Sequence, residues 1–393
     1  MSSDSRLMNS LLDMLVELLE IPQSYYEKAA ERYRSLGEWL HRKESKVADL
    51  SPEVYSQGSF CYGTVIRPLL ANEEYDLDLV CQILLTKTTV TQKLVKHLVG
   101  DEIKAYAEAR SFNEPAEEKP RCWRLNYADH VNFHMDIVPC IPEDMAFIDQ
   151  LVRMGIPNHL AATAVAITDR RHPNYTIIDP HWFSSNPRGI AAWFENRMRP
   201  FARSRIVKLV ENQKYASIDD VPAFEWKTPL QRSIQILKRH RDVMFKDSPE
   251  WKPLSMIITT LATHAYQGEP DLYEALNGIV DGMPKFVRGS QPRIPNPVNP
   301  AEDFADRRSK DVRFEQNFWA WHAQIKADLS ELWRLSGHVH DIKRIVRKRF
   351  ALDVTADMEK DLGGGGAGSG PHIVVATPTV HIASAPKPWR SDA

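Results

Sequence analysis

Much of what would mark a secreted, membrane-spanning or metal-scaffolded protein is missing from these 393 residues. The four cysteines, Cys61, Cys81, Cys122 and Cys140, form no C-x-x-C pair and no regular framework. That argues against a disulfide scaffold or a cysteine zinc site and leaves them as small core residues. The opening Met-Ser-Ser-Asp-Ser has no basic stretch leading into an apolar run, so it does not read as a secretion signal. No apolar run approaches the roughly 20 residues that span a bilayer. A reducing, cytoplasmic setting with no membrane association is therefore expected. The formal net charge is -2, too little positive charge for the whole chain to act as a general polyanion binder. No internal repeat is visible.

What is present is an ordinary globular composition, 43% apolar and 26% charged, in a chain long enough for two lobes. The most informative stretch is Gln57-Gly58-Ser59-Phe60-Cys61-Tyr62-Gly63-Thr64, followed after a gap by Glu74-Tyr75-Asp76-Leu77-Asp78. A small-residue turn such as Gly58-Ser59 can offer backbone N–H groups to a phosphate. Asp76 and Asp78, two apart on a strand expected over 76–85, point to one face, with Leu77, Leu79 and Cys81 on the other. Two acidic oxygen ligands on one face can hold Mg²⁺ beside a triphosphate. A third ligand is needed. Asp136 is the best candidate: on a strand expected over 131–138, Val131, Phe133, Met135 and Ile137 line one face while Asn132, His134 and Asp136 line the other. Three converging carboxylates can hold two Mg²⁺ about 3.5–4 Å apart for in-line phosphoryl displacement. Asp136 can also help a hydroxyl lose its proton. His134 shares that face, either touching substrate or sitting as a hydrogen-bonded core-edge residue.

The rest of the chain reads as follows. Apolar spacing predicts helices over 7–20 and 24–45. Strands at 162–167 and 175–178 flank Arg170-Arg171-His172-Pro173-Asn174 as a hairpin. From about 191 the pattern turns helical, with segments near 191–213, 229–246, 253–267, 301–326 and 327–350 and a proline-rich interruption around 292–300. The basic run Lys343-Arg344-Ile345-Val346-Arg347-Lys348-Arg349 reads as a solvated helix end. Gly363 to Gly370 has linker composition and precedes a short tail. Domain limits are expected at 1–200, 201–360 and 361–393.

Gln57-Gly58-Ser59 with Gly63-Thr64-Val65 and Arg67-Pro68, then Asp76-Leu77-Asp78-Leu79-Val80, resembles the bacterial cGAS/DncV-like nucleotidyltransferases, the CD-NTases. His134-x-Asp136-Ile137-Val138-Pro139, the Trp182-to-Phe194 segment, Pro229-Leu230-Gln231-Arg232 with Lys238-Arg239-His240-Arg241-Asp242, and Asn296-Pro297-Val298-Asn299-Pro300 extend the resemblance over about residues 50–320. It implies an α+β fold: a DNA polymerase β-like nucleotidyltransferase lobe, with a mixed sheet and N-terminal spine helices, plus a helical lobe, the active site lying in the cleft between them. It implies Asp76, Asp78 and Asp136 as catalytic metal ligands for two Mg²⁺, with Mn²⁺ as the substitute ion. It also implies nucleotide contacts from Gln57, Gly58, Ser59, Lys238 and Ser255. Independently, Leu230, Ile234, Leu237 and Met244 form an apolar stripe on the helix over 229–246, with Lys238 at its edge. From there Lys238 reaches a triphosphate or lies as a solvated, snorkelling side chain. Arg241 falls inside the stripe, as a buried ion-pair member or a phosphate contact. Ser255 serves equally as a helix cap.

The implied activity is synthesis of a cyclic di- or trinucleotide second messenger from ATP and/or GTP in CBASS antiphage defence, read by a product-sensing effector protein. A ubiquitin-conjugating-like partner acting at the terminal Ala393 is a further implied partner. No clustered Cys/His insertion is present, so no DNA requirement is expected. Two other readings stay open: a linear oligonucleotide or RNA-end nucleotidyltransferase, and a nucleotide-binding sensor without catalysis.

Overall fold

The computed structural model describes residues 3–70, 73–127, 133–211, 227–287, 289, 293–335 and 338–355. Val131 and Asn132, expected to begin a strand, and the tail from 361 to Ala393 lie outside these residues. The chain divides into two compact units: Ile21–Asn196 with Pro295–Asp303, and Met1–Glu20 with Arg197–Ile294 and the described residues 304–355.

A first helix, α1 (Ser3–Leu19), belongs to the second of these units. The other unit starts with α2 (Gln23–His41), β1 (Glu53–Gln57), the single turn α3 (Gly58–Cys61) and β2 (Tyr75–Gln82). There follow α4 (Gln92–Ala109), β3 (Glu117–Glu118), β4 (Trp123–Tyr127) and β5 (Phe133–Pro142). Then come α5 (Met145–Arg153), α6 (Asn158–Ala161), β6 (Val165–Ile167) and β7 (Phe183–Ser185), and α7 (Pro187–Glu211) begins here. Among the described residues, β1 to β5 form a mixed sheet in the order β1-β2-β5-β4-β3; β6 pairs with the far end of β5, and β7 with β6. Among the described strands only β2 and β5 run parallel, and α4 makes the crossover that parallel neighbours require.

The period of 2 along these strands decides what faces what. Leu77, Leu79, Cys81, Trp123, Leu125, Phe133, Met135 and Ile137 are all buried in one core with Ala29, Leu36 and Leu40 of α2 and Val95, Val99 and Ile103 of α4. Burying one such Leu, Ile or Phe is worth roughly 1.5–3 kcal/mol. A one-residue slip would send the whole set to the opposite face, so the register is strongly specified. The helix sits close: a Cβ on Gly100 would lie 2.3 Å from the Trp123 ring, and Trp123 Nε1–H donates to the Lys96 carbonyl at 3.0 Å. The alternates of the same strands lie on the opposite face, where Val80 and Cys140 pack with Val165 and Ile167 in a second small cluster and the polar residues group at one end.

The helical unit holds α8 (Pro229–Met244), α9 (Ser255–Ala265), α10 (Leu272–Gly282), α11 (Arg313–Arg334) and α12 (Val339–Phe350). A capping box starts α8. Thr228 Oγ1 accepts from Gln231 N–H at 3.3 Å, and Gln231 Oε1 accepts from Thr228 N–H at 2.9 Å. Through buried Leu11, Leu12, Leu15 and Leu19, α1 packs on α8 and α10. Asp13 pairs with Arg232 of α8, and Asn9 Oδ1 accepts from Tyr273 N–H at 2.9 Å. These contacts are why α1 groups with the helices and not within a 1–200 lobe. Helix α12 is tied to α8 through buried Asp328 of α11, which meets His240 Nε2 at 2.9 Å and Arg349 Nε at 3.0 Å. Among the described residues, no helix is long and apolar enough to cross a membrane.

Several local expectations change, among them the strands expected over 76–85 and 162–167, which span Tyr75–Gln82 and Val165–Ile167. Helix α2 ends at His41 rather than 45. The segment 175–178 is not a strand: Tyr175 C=O accepts from Lys93 N–H at the start of α4, and Ile177 and Ile178 are exposed, so β6 pairs instead with β7. Of the helix expected over 301–326 only the part from Arg313 is helical, in α11, which runs past the expected break at 326; before it lie a 3-10 turn and the end of β9 (Asn299–Asp303), paired with β8 (Pro295–Asn296). Met244 is exposed rather than part of the α8 core stripe.

Candidate active site

The polar face of the sheet is ordered in rows. Cross-strand pairing places Gln57, Asp78, Asp136, Arg124 and Glu117 side by side across β1, β2, β5, β4 and β3. The next row holds Asp76, His134 and Asn126 on β2, β5 and β4. The three expected acids thus lie on neighbouring parallel strands, Asp78 directly opposite Asp136.

After Gln57 the chain turns sharply. Gly58 has φ +69 and Gly63 φ +62, both left-handed, and between them α3 makes one turn closed by Tyr62 N–H to Gly58 C=O at 3.1 Å and Thr64 N–H to Ser59 C=O at 2.9 Å. Phe60 anchors this turn in the core, 5.9 Å from the Phe133 ring centroid. A Cβ at Gly58 would sit 2.3 Å from Asp78 Oδ2. The turn therefore presses its backbone against the carboxylate, which only glycine permits. Gln57 and Ser59 are both half-buried there.

Each acid has a distinct environment. Asp136 receives Arg124 Nε–H on Oδ1 and Arg124 Nη2–H on Oδ2, both at 2.7 Å. Asp76, exposed, is paired with His134 Nε2, and His134 Nδ1 meets Glu74 Oε2 at 2.9 Å. Burial pulls the His134 imidazole down, but Asp76 and Glu74 outweigh it and its pKa ends above the ordinary value. Asp78 is pushed up to about 7, first by burial and then by the charges of Asp76 and Asp136, against weaker opposing pulls from His134 and Arg124. The acids share one face without converging on a point. Among the described residues, no group of three His, Cys, Asp or Glu side chains is set to hold a metal ion. The donor chemistry nonetheless suits a divalent cation. Asp78 carries a charge that its two acidic neighbours disfavour, and a cation between them would reverse that penalty.

The sign of this penalty can be tested. Folded Asp78 keeps a proton up to about 7, whereas an unfolded Asp releases it near about 4. The folded state binds the extra proton inside that window, so stability falls as pH rises through it, and the full cost is present above about 7. Asp78→Asn is expected to raise the Tm over wild type at about pH 8 in chelator-containing buffer and to change it little at about pH 4. A series of thermal melts checks this; a lower Tm for the variant at the higher pH would contradict the sign.

Lys238 and Ser255 belong to the helical unit. Lys238 is buried on α8. Ser255 is the first residue of α9 without acting as its N-cap, and its Oγ accepts from Arg241 Nη1–H at 2.9 Å. Arg241 is itself buried, donating also to the Pro253 carbonyl at 3.0 Å and to Asp242 at 2.7 Å. Arg124 was absent from the sequence-derived site. Its signal was present in the alternation Trp123-Arg124-Leu125-Asn126-Tyr127, which places Arg124 and Asn126 on one strand face.

Residues 52–139, which contain the turn and all three acids, match the family model of the cyclic GMP-AMP synthase DncV-like nucleotidyltransferase domain. The chain is 29% identical over 300 residues to a c-di-GMP synthase of Roseivirga ehrenbergii, covering 75% of this chain and 71% of that one. Its fold is similar to that of the Bradyrhizobium diazoefficiens CD-NTase CdnG solved in complex with GTP. The TM-score is 0.66 at 20% identity, over 92% of this chain and 98% of that one. A mutant of Vibrio cholerae DncV, solved in complex with ATP, GTP and 5MTHFGLU2, is a further structural likeness, with TM-score 0.53, 15% identity, and 90% and 87% of the two chains covered.

Proposed function

We propose that this chain, a nucleotidyltransferase of the DncV-like (CD-NTase) family, joins two nucleoside triphosphates into a cyclic dinucleotide, with GTP among its substrates. The observation that carries this reading is the row of acids beside the Gly58 turn, inside the segment that matches the family. Relatives named as a c-di-GMP synthase and a cyclic dinucleotide synthase favour a two-nucleotide ring.

The donor triphosphate lies against the turn, contacted by Gln57, the Gly58-Ser59 backbone and the Ser59 hydroxyl. Asp76, Asp78 and Asp136 hold divalent cations, which we assign as two Mg²⁺ replaceable by Mn²⁺; when bound they offset phosphate charge and favour the alkoxide of the acceptor. Asp136 takes the proton of the acceptor ribose hydroxyl. The freed oxygen forms a bond to the α-phosphorus, the α–β P–O bond breaks, and pyrophosphate leaves. A second round on the linear intermediate closes the ring. The cyclic product acts as a cytoplasmic second messenger for an effector protein in antiphage defence.

Incubating the full chain with the four labelled NTPs and Mg²⁺, without DNA, tests this. The expected outcome is pyrophosphate release and a phosphatase-resistant product with the mass of a cyclic dinucleotide. A ladder of linear products would move the assignment to a polymerising or RNA-end enzyme. NTP binding without pyrophosphate release would make the chain a non-catalytic sensor.

A further inference from the structure

Asp136 lies between two strands that offer it opposite surroundings. Across one edge of β5 it faces the carboxylate Asp78, and across the other the guanidinium of Arg124. Arg124 engages both oxygens of Asp136 in the two-pronged geometry that suits a planar cation and a carboxylate, each contact at 2.7 Å. The strand cannot easily shift to release this pair, because the neighbours Trp123 and Leu125 are buried in the core beneath the sheet. The side chains can turn: that of Arg124 is 27% exposed and that of Asp136 19%.

We propose that Arg124 is a removable counter-ion that competes with the divalent cation for Asp136 and is drawn off by the phosphates of a bound nucleotide. The proposal rests on the reading of Asp136 as a metal carboxylate. A guanidinium lying across both oxygens meets an approaching dication with like charge, so cation binding at Asp136 and this ion pair oppose each other. Phosphate oxygens accept the same planar fork and carry more negative charge than one carboxylate. Nucleotide binding therefore frees Asp136, and by reciprocity a cation on Asp136 frees Arg124 for the nucleotide. Cation and nucleotide load together, and the protein without nucleotide holds cations weakly at this carboxylate. Arg124 is in this sense a positioning residue that governs when its neighbour is available.

Mn²⁺ binding followed by electron paramagnetic resonance tests this on the full chain, with and without a non-hydrolysable nucleoside triphosphate. Without nucleotide, Arg124→Gln is expected to bind Mn²⁺ about tenfold more tightly than wild type. Arg124→Lys, which keeps the charge, stays near wild type and guards against an effect of altered folding. With the analogue present, wild type gains affinity and the gap to Arg124→Gln narrows. If Asp136→Asn weakens Mn²⁺ binding with the analogue present while Arg124→Gln without it binds no more tightly than wild type, the counter-ion proposal falls and the assignment of Asp136 stands. If Asp136→Asn leaves Mn²⁺ binding unchanged with the analogue present, the assignment of Asp136 as a ligand falls, and the proposal with it.

Discussion

Asp76→Asn and Asp136→Asn are each expected to reduce cyclic product from labelled NTPs by on the order of a thousandfold, about 4 kcal/mol at 1.36 kcal/mol per decade of rate. The amide keeps the shape of each side chain while removing its charge, so a bound cation would lose one anionic ligand. At Asp136 the change also removes the group assigned to take the acceptor's proton and strips Arg124 of its partner. Losing one member of such a half-buried pair costs stability as well as rate, so melting temperatures should be read beside activity. Asp76 is exposed and lies outside the Arg124 contact, so Asp76→Asn is expected to lose activity with little change in Tm. Synthesis at the wild-type rate by either variant would remove the carboxylates from the mechanism.

Gly58→Ala is expected to be nearly as damaging through backbone geometry alone. The residue sits at φ +69, where an L side chain costs about 1–3 kcal/mol. Its Cβ would fall 2.3 Å from Asp78 Oδ2 and 3.1 Å from Asp78 Cγ, so the carboxylate must swing away or the turn must open. Either movement separates Ser59 from the acids. A fall in turnover of roughly a hundredfold and a drop in Tm of several degrees are expected. Turnover and thermal melts of the same preparation check both. Full activity in Gly58→Ala would mean that the tight contact between turn and carboxylate is dispensable.

How much of this was legible in the sequence varied with how local the cause was. The face-sharing of Asp76 with Asp78, and of His134 with Asp136, follows from alternation within single strands. The structure describes those residues as such strands. The α8 start was legible for the same reason, since Thr228, Pro229 and Gln231 build their cap within one turn. The hairpin over 162–178 was misread because Tyr175 to Ile178 look like a strand locally. What holds that segment is the start of α4, about 80 residues earlier in the chain by the spacing of Lys93 and Tyr175. The grouping of α1 with α8 and α10 has the same character: its leucine stripe says that a face is buried, not against what.

The sequence by itself determined the chemistry on offer: three acids of fixed face, a glycine turn ahead of them, and a match to the family over 52–139. Periodicity and turn chemistry act within a few residues, so they survive being read along a line. Only the tertiary structure decided that Asp136 stands between Asp78 and Arg124, that Gly58 presses on Asp78, and that Arg241 takes the hydroxyl of Ser255. Strand order and register bring together residues far apart in the chain. They are set by which apolar faces pack together, a property of the whole core that no short stretch encodes.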